Sequence, residues 1–254
     1  EALSKFLHSN AEKRNDGAWN KTTGRRISAC VPMHTYGFPC RIEEISVICN
    51  DWGIELIEDA AEALGSTISG KKISSFGSIG VFSFNGNKII TTGGGGMLVT
   101  NNELYAKRAL HLTTTAKIPH HYEFIHDEVG YNYRMPNLNA ALGCAQMENL
   151  ETMLLSKKVI ADNYEVFFNE FSIDMIKPLT NSTANNWLNT ILLKNKNERD
   201  EFIAFTNSKG VMTRPMWRLM SKLEMFKNSQ SDGLINSLWL EDRLVNLPSS
   251  VPFS

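Results

Sequence analysis

The chain has 254 residues, of which 42% are hydrophobic, and its formal net charge is −1. This length and apolar content are enough for one large domain, or for a domain with an appendage. The balanced charge gives no basic surplus for non-specific binding to nucleic acid, and no apolar run is long enough to cross a bilayer. We therefore expect neither a nucleic-acid nor a membrane partner.

The first residues read as a helix. Leu3, Phe6 and Leu7 share one face of a pattern that covers residues 1–15. The chain does not begin with Met and has no signal-peptide pattern. We expect that it begins in the middle of a domain whose N-terminal part is missing.

The pattern from residue 26 to about residue 100 alternates between short apolar runs and an amphipathic helix. This order predicts an α/β fold with a mostly parallel central sheet and flanking helices. The predicted strands are residues 27–32, 54–57, 80–84 and 96–100, and the helix is 41–52, stopped by Gly53.

The second half of the chain changes character after residue 172. A helix is predicted at 102–112, followed by an irregular stretch at 113–137 that is long enough to be a functional loop. One long helix is predicted at 139–171. A strand at 187–193, a helix at 198–209 and a strand at 211–213 then form a smaller α+β unit. We expect a large domain at 1–155, incomplete at its N-terminus, and a small C-terminal domain at 156–254.

The four cysteines give no sign of a metal or disulfide framework. None of Cys30, Cys40, Cys49 and Cys144 forms a C-x-x-C pair, and their spacing suits neither zinc nor a small secreted domain. We expect reduced thiols, no metal site and a cytoplasmic protein.

Two charged residues follow predicted strands. Asp59 ends the strand at 54–57, where open α/β sheets bind ligands, although Glu58 and Asp59 could simply cap the next element. Lys88 lies on a short loop after the strand at 80–84. A lysine held in such a place can lose its proton and attack a carbonyl, but a lone lysine in a turn is usually an exposed surface residue.

Two further segments are candidates for ligand contact. The four glycines at 93–96 let the backbone pass close to a bulky group, and they are not a P-loop because no Gly-Lys-Ser/Thr follows. In the run at 130–136, Arg134 could bind a phosphate or carboxylate and Asn132 could donate to a phosphate. Either side chain could equally belong to an exposed loop.

The order and spacing of these segments resemble the DegT/StrS-like family of sugar aminotransferases, which are fold-type I enzymes that depend on pyridoxal 5'-phosphate (PLP). The resemblance is carried by the spacing of Asp59 and Lys88, the F-S-F-x-x-x-K run at 82–88, the glycine run and the G-Y-N-Y-R-M run at 130–135. The strings at 111–117 and 126–143 are similar to the subgroup that makes 4-amino-4,6-dideoxy sugars for legionaminic acid or bacillosamine.

The resemblance implies a set of cofactor contacts. Lys88 matches the catalytic lysine that bonds to PLP and moves the proton, and Asp59 matches the acid that keeps the pyridinium nitrogen protonated. Ser83 matches a hydroxyl that holds the cofactor phosphate, and Glu62 stands near the ring hydroxyl, where Gln or His is common. Asn132 matches a phosphate contact to the neighbouring subunit, which implies at least a homodimer.

Substrate contacts are implied for His34, Tyr36 and Arg134 on the sugar-nucleotide side. His34 could instead be a packed residue at a strand end. Arg214 and Trp217 could approach the substrate or serve interdomain packing. Because relatives with histidine in place of Lys88 carry out a dehydration, the lysine favours amino transfer.

The sequence therefore predicts a PLP-dependent aminotransferase. It would move an amino group from L-glutamate to a UDP- or GDP-linked 4-keto-6-deoxy sugar during the synthesis of lipopolysaccharide or another cell-surface glycan. The alternatives are a non-catalytic or regulatory relative and an inactive truncated fragment. A Rossmann-like nucleotide-binding module is disfavoured, because the glycines at 93–96 precede a strand rather than a helix.

Overall fold

The structure is a computed structural model that describes residues 1–251. Within this range, none of the helices is both long and apolar enough to cross a membrane. Three 3₁₀ turns lie at Thr35–Gly37, Met220–Lys222 and Glu224–Phe226. The α-helices are α1 (Ala2–Asn10), α2 (Ile42–Trp52), α3 (Glu103–Thr113), α4 (Asn137–Glu148), α5 (Leu150–Glu170), α6 (Lys196–Ser208) and α7 (Ile235–Glu241).

Most strands are short. In chain order they are β1 (Ala11–Arg14), β2 (Gly17–Asn20), β3 (Ala29–Cys30), β4 (Glu55–Asp59), β5 (Thr67–Ile68), β6 (Lys71–Lys72), β7 (Ile79–Ser83), β8 (Gly96–Val99), β9 (Lys117–Ile118), β10 (Ile125–His126), β11 (Asp174–Met175), β12 (Ser182–Thr183), β13 (Asn189–Leu192), β14 (Arg214–Pro215) and β15 (Leu244–Leu247).

A four-stranded sheet in the order β3-β4-β7-β8 forms the centre of the larger part of the chain. Neighbours β3, β4 and β7 are parallel, and β8 is antiparallel to β7. The predicted α/β sheet with mostly parallel strands is thus confirmed. The carboxyl ends of β4 and β7 consequently lie side by side at one edge.

Helix α2 covers this sheet and follows its prediction. Ile42, Cys49 and Trp52 are buried on its inner face. Gly53 ends the helix in the left-handed conformation, with φ 62°, which a glycine adopts without steric cost.

The predicted helix at residues 1–15 is wrong beyond Asn10. Residues Ala11–Arg14 instead pair with Gly17–Asn20 as an antiparallel hairpin. The two-residue connection is followed by Gly17, whose φ of 124° lies in the region that favours glycine. Burial of Ala11 and Ala18 in the core stabilises the hairpin over a longer helix.

The predicted helix at 139–171 is two helices, α4 and α5, which meet at Asn149. The backbone of Asn149 has left the helical region, with ψ at 2°, and its side chain donates to the carbonyl of Ala145 at 2.9 Å. Asparagine side chains compete with the helical hydrogen bonds in this way, so one residue was enough to break the pattern.

A second sheet, antiparallel and in the order β11-β13-β15-β14, lies in the C-terminal part of the chain. Ile191 and Val245 are fully buried beneath it. The strand predicted at 211–213 is wrong: β14 begins at Arg214, and Thr213 before it bonds through its hydroxyl to Thr206 of α6 at 2.6 Å. The boundary predicted at residue 155 falls inside α5 and stays a prediction, and residues 252–254 of the predicted small domain lie outside the described range.

Candidate active site

Three polar residues gather where β4 and β7 end. Asp59 is the last residue of β4, and Ser83 is the last residue of β7. Asp59 pairs with Val81 across the parallel ladder, so Asp59 and Ser83 lie at the same edge. Glu62 follows Asp59 in a turn that begins when Ala61 donates its N–H to the Asp59 carboxylate at 3.1 Å.

Lys88 reaches the same edge on a closed loop. Phe84 accepts hydrogen bonds at 3.1 Å from both the N–H of Thr92 and the hydroxyl of Thr91, which draws the two ends of the loop together. Ile89 and Ile90 are buried and anchor the loop in the core. The lysine is therefore held by a packed segment, and the alternative of an exposed turn lysine does not apply.

Burial and neighbouring charges act in opposite directions on the pKa of the Lys88 amine. Its side chain is 14% exposed, and its Nζ lies 3.8 Å from Oε1 of Glu62. Burial lowers the pKa of Lys88 below its usual range, although the charges of Glu62 and Asp59 act in the opposite direction. A lysine with a lowered pKa has more of the neutral form that attacks carbonyl groups.

Glu62 is fixed from its other side by Tyr36. The N–H of Tyr36 donates to Oε2 of Glu62 at 2.6 Å. Burial raises the pKa of Glu62, while this N–H and Lys88 act to lower it. Tyr36 itself is 3% exposed and has a left-handed backbone, with φ 59°. Burial raises its pKa to about 12.

His34 lies behind this edge rather than on it. Its side chain is fully buried, and the N–H of Cys40 donates to its Nδ1 at 3.2 Å. The other ring nitrogen therefore carries the proton and donates to Oε2 of Glu58 at 3.3 Å. This burial favours the packing alternative, and the substrate contact of His34 stays a prediction.

Glu58, beside Asp59, was considered from the sequence only as a possible cap of the next element. It is fully buried, and its carboxylate accepts N–H bonds from Ser74 at 2.8 Å, Phe76 at 2.7 Å and Gly77 at 2.8 Å. Burial alone would raise its pKa, but His34 and the three N–H groups hold the pKa of Glu58 below its usual value. Glu58 thus fixes the loop at 74–77 against the strand that carries Asp59.

The glycine run passes closely beside β7. A Cβ atom at Gly96 would meet the carbonyl oxygen of Phe82 at 2.4 Å, so this position requires glycine. A Cβ at Gly95 would lie 3.4 Å from Met135, which places the run at 130–136 next to the glycines.

Asn132 and Arg134 are exposed on that run. Asn132 is held by a backbone bridge to Thr114. The structure brings together Asp59, Glu62, Ser83, Lys88 and Tyr36, and it leaves Asn132 and Arg134 on the surface. Their roles stay predictions.

Two tryptophans close the site from the C-terminal part. The Lys88 amine lies 4.0 Å from the ring centroid of Trp187, and Trp187 stacks on Trp217 at 5.8 Å with planes inclined by 17°. Trp217 also contacts Tyr36, with centroids 5.4 Å apart. Trp187 was not predicted as a site residue, because a tryptophan in a strand-like run is usually core. Arg214 lies exposed in β14 and contacts Met212.

A separate surface group has metal-ligand atoms close together. Atoms of His111, Asp127 and Glu128 lie within 4.8 Å of one another. The guanidinium of Arg108 already forms an ion pair with Glu128, so a cation is present at this group. We therefore interpret these residues, together with Arg108, as a salt-bridge network.

Comparison with solved structures defines the class of this fold. The chain superposes on the aminotransferase TlmJ from Streptoalloteichus hindustanus with a TM-score of 0.85 at 24% identity, over 92% of this chain and 64% of that one. The architecture is therefore that of the fold-type I, aspartate aminotransferase-like enzymes, as predicted. Residues 17–254 match the DegT/DnrJ/EryC1/StrS aminotransferase family, and the chain belongs to that family, whose members depend on PLP.

Two curated relatives carry more specific names. GDP-perosamine synthase of Vibrio cholerae is 33% identical over 228 residues, which are 89% of this chain and 62% of that protein. The putative pyridoxal phosphate-dependent aminotransferase EpsN of Bacillus subtilis (strain 168) is 35% identical over 208 residues, 81% of this chain and 53% of that protein. The chain thus spans between half and two thirds of the length of these relatives.

Proposed function

We propose that this chain is the greater part of a PLP-dependent aminotransferase that acts on a nucleotide-linked keto-sugar. The observation that carries the proposal is the Lys88 amine, which is partly shielded from water and faces Glu62 at 3.8 Å beside the strand end that carries Asp59. A lysine amine with a lowered pKa and a carboxylate at one sheet edge suit a cofactor that is both an aldehyde and a protonated pyridine.

The chemistry of the available groups fits PLP. Asp59 would pair with the ring nitrogen, Glu62 would lie near the ring hydroxyl, and Ser83 would hold the phosphate. The Ser83 hydroxyl here accepts only a long hydrogen bond, 3.3 Å, from the N–H of Asn85, so its own proton is free to be donated. The Asp59 carboxylate and the Ser83 hydroxyl therefore offer the polarity that the pyridinium and the phosphate of PLP require.

The bound cofactor would supply an electron sink for the bond broken at the substrate carbon. Lys88 would hold a proton on Nζ and move it between substrate and cofactor carbons. The carboxylate of Glu62 would orient this amine and share its proton. Tyr36 and Trp217, which contact each other beside Glu62, would limit the access of water to the reacting atoms.

The amino donor would be L-glutamate, and the acceptor a UDP- or GDP-linked 4-keto-6-deoxy sugar. The name of the Vibrio cholerae relative makes a GDP-linked keto-sugar the first acceptor to test. The subgroup of legionaminic acid and bacillosamine synthesis would make a UDP-linked sugar the second. Arg134 would bind the charged part of the substrate, and the product would serve lipopolysaccharide or another cell-surface glycan, with the reaction in the cytoplasm.

The active unit would be a homodimer. The hairpin formed by β9 and β10 displays exposed aromatic side chains, with Tyr122 82% and Phe124 80% exposed. Asn132 is exposed on the adjoining run, where it would reach the cofactor phosphate of the partner subunit. Sedimentation of the wild-type chain and of Phe124→Asp would test this, and a monomer in both would contradict it.

The deciding experiment is to add PLP to the purified chain, record the visible absorbance and then add L-glutamate. We expect a band that appears with PLP, bleaches with glutamate and is absent from Lys88→Ala, but present in Lys72→Ala, an exposed lysine of β6. Mass spectrometry would then follow conversion of the GDP-linked keto-sugar to an amino sugar. A band without bleaching would indicate a non-catalytic relative, and no band from folded protein would overturn the proposal.

A further inference from the structure

The ring of Trp187 is the nearest aromatic face to the Lys88 amine, at 4.0 Å from centroid to Nζ. An ammonium group over an indole face is attracted by the negative face of the ring, most strongly where water is excluded. Trp187 is 4% exposed, and the Lys88 side chain is 14% exposed. We propose that Trp187 is a positioning residue that holds the free amine of Lys88 against its indole face. The inference rests on the proposed role of Lys88 as the cofactor-bonding amine.

Trp187 is fixed at three points. Its indole Nε1 donates to the carbonyl of Asn87 at 2.6 Å, in the loop that carries Lys88. Its backbone N–H donates to Oδ1 of Asn185 at 2.9 Å. Its backbone carbonyl accepts from Nζ of Lys157 at 3.2 Å. These three hydrogen bonds therefore fix the position and orientation of the Trp187 ring relative to the Lys88 loop.

Asn185 joins this anchor to the segment that carries Glu62. It is 2% exposed, and its side-chain amide donates to the carbonyls of Glu62 at 2.8 Å and Leu64 at 2.9 Å. One asparagine therefore sets the distance between the indole ring and the Glu62 segment. Both partners of the Lys88 amine are held in a single network.

Lys157 supplies the third anchor and has an unusual set of partners. Its side chain on α5 is buried, and Nζ donates to three backbone carbonyls: Asn186 at 3.4 Å, Trp187 at 3.2 Å and Ser249 at 2.6 Å. Within residues 1–251 no acidic side chain forms an ion pair with it. A buried cation that binds only backbone carbonyls fixes those segments, here the one that carries Trp187 and the one that follows β15.

The consequence concerns the amine when it is not bonded to the cofactor. In the proposed reaction the Lys88 amine would be free of the cofactor for part of the time, and its flexible stem would otherwise allow it to swing into solvent. Between the indole face at 4.0 Å and Glu62 at 3.8 Å, the amine would stay at the sheet edge where the cofactor would bind. Trp187 would thus reduce the number of positions open to the free Lys88 amine and keep it near the cofactor site.

The test measures the Lys88 amine itself, in the full chain without PLP. Brief labelling with acetic anhydride at pH 8, read as modification of the Lys88 peptide by mass spectrometry, reports how readily the amine loses its proton. The exposed Lys71 and Lys72 serve as internal references. Trp187→Phe and Trp187→Leu are compared, because both lose the bond to Asn87 and both keep an apolar cover.

We expect the Leu variant to label Lys88 about two- to tenfold faster than the Phe variant, because only Phe keeps a ring face that stabilises the ammonium form. Lys71 and Lys72 should label equally in both. Equal labelling of Lys88 in the two folded variants would overturn the proposal, and Trp187→Met replaces the Leu variant if circular dichroism shows that it is unfolded. Because no cofactor is added, this result is independent of whether the chain binds PLP.

The anchor is tested with Lys157→Met against Lys158→Met. Lys158 is the neighbouring residue, exposed and paired with Asp162. We expect Lys157→Met to speed labelling of Lys88 and Lys158→Met to leave it unchanged. Equal labelling rates of Lys88 in folded Lys157→Met and in the wild type would show that Lys157 does not help to position Trp187. If Lys157→Met does not fold, the comparison of Phe with Leu at position 187 decides the proposal.

Discussion

Glu62 and Lys88 face each other across 3.8 Å in surroundings that disfavour the charge on both. Burial raises the pKa of Glu62 and lowers the pKa of Lys88, so the two values approach each other. A pair of this kind exchanges a proton more readily than an ordinary ion pair on the surface. Most of the expected behaviour of the site follows from this relationship.

Replacing Glu62 with Gln should make Lys88 more reactive towards acylating reagents. The negative charge of Glu62 favours the ammonium form of Lys88, so its loss should lower the pKa of Lys88 further. We expect several-fold faster acetylation of Lys88 in Glu62→Gln at pH 8. Glu44→Gln, on the exposed side of α2, is the control and should have no effect. Slower labelling in Glu62→Gln would contradict the assignment of the pair.

Replacing Asp59 with Asn should weaken cofactor binding without unfolding the chain. The amide keeps the shape of the carboxylate and can still accept the N–H of Ala61, but it cannot form a charge-assisted bond to a pyridinium. We expect PLP affinity, from absorbance titration, to fall on the order of ten- to a hundredfold. Asp51→Asn, on the surface of α2, should bind as the wild type does. Unchanged affinity in Asp59→Asn would remove Asp59 from the cofactor site.

Replacing Glu58 with Gln should destabilise the fold. In the wild type, three backbone N–H groups donate to the Glu58 carboxylate. The amide of Gln would instead face some of these donors with its own N–H groups. We therefore expect a loss of about 3 kcal/mol in the free energy of unfolding. Because the pKa of Glu58 is lowered in the folded chain, its contribution should be complete above about pH 4.5 and lost as the pH falls through the lowered value.

Urea denaturation of Glu58→Gln and Glu55→Gln at several pH values would measure this. Glu55 lies exposed on the same strand and should cost about 1 kcal/mol or less. A Glu58→Gln variant as stable as the wild type at pH 7 would show that the carboxylate is not required to hold the loop at 74–77.

Lys157 should give the fold an unusual dependence on alkaline pH. Burial lowers its pKa from 10.5 to about 8. Between these values the unfolded chain binds a proton that the folded chain has lost, so the contribution of Lys157 to stability should rise with pH, by about 3 kcal/mol in all. The difference in unfolding free energy between wild type and Lys157→Met, from pH 7 to 10.5, measures it. A difference that does not change with pH would mean that Lys157 titrates normally.

The sequence predicted the parts of the site that depend on local order along the chain. Asp59 and Ser83 end their strands and Lys88 follows β7 on a loop, and the parallel pairing of β4 with β7 brings them to one edge. The helix α2 was predicted correctly, because its apolar spacing and the following Gly53 are local signals. Family resemblance added the cofactor, which no local pattern could name.

The parts that were missed depend on contacts between distant segments. Trp187 and Lys157 gain their roles only because the C-terminal part packs against the Lys88 loop, and neither carries a local signal. The contacts of His34 with Glu58 and Cys40 also join distant segments, while its predicted contact with the substrate stays a prediction. The break at Asn149 was missed because the apolar pattern continues through it, although a single side chain ends the helix there.

The adjacency of Glu58 and Asp59 has a consequence for how such chains change over time. Neighbouring residues of a strand point to opposite faces, and here one carboxylate supports the interior while the next reaches the site. A deletion of one residue within β4 would turn both side chains to the opposite faces, so that Glu58 would lose its hydrogen bonds and Asp59 would leave the site. The number of residues in β4 is thus constrained as well as their identity. Insertions and deletions should therefore accumulate in the outlying hairpins, while this strand keeps the same number of residues.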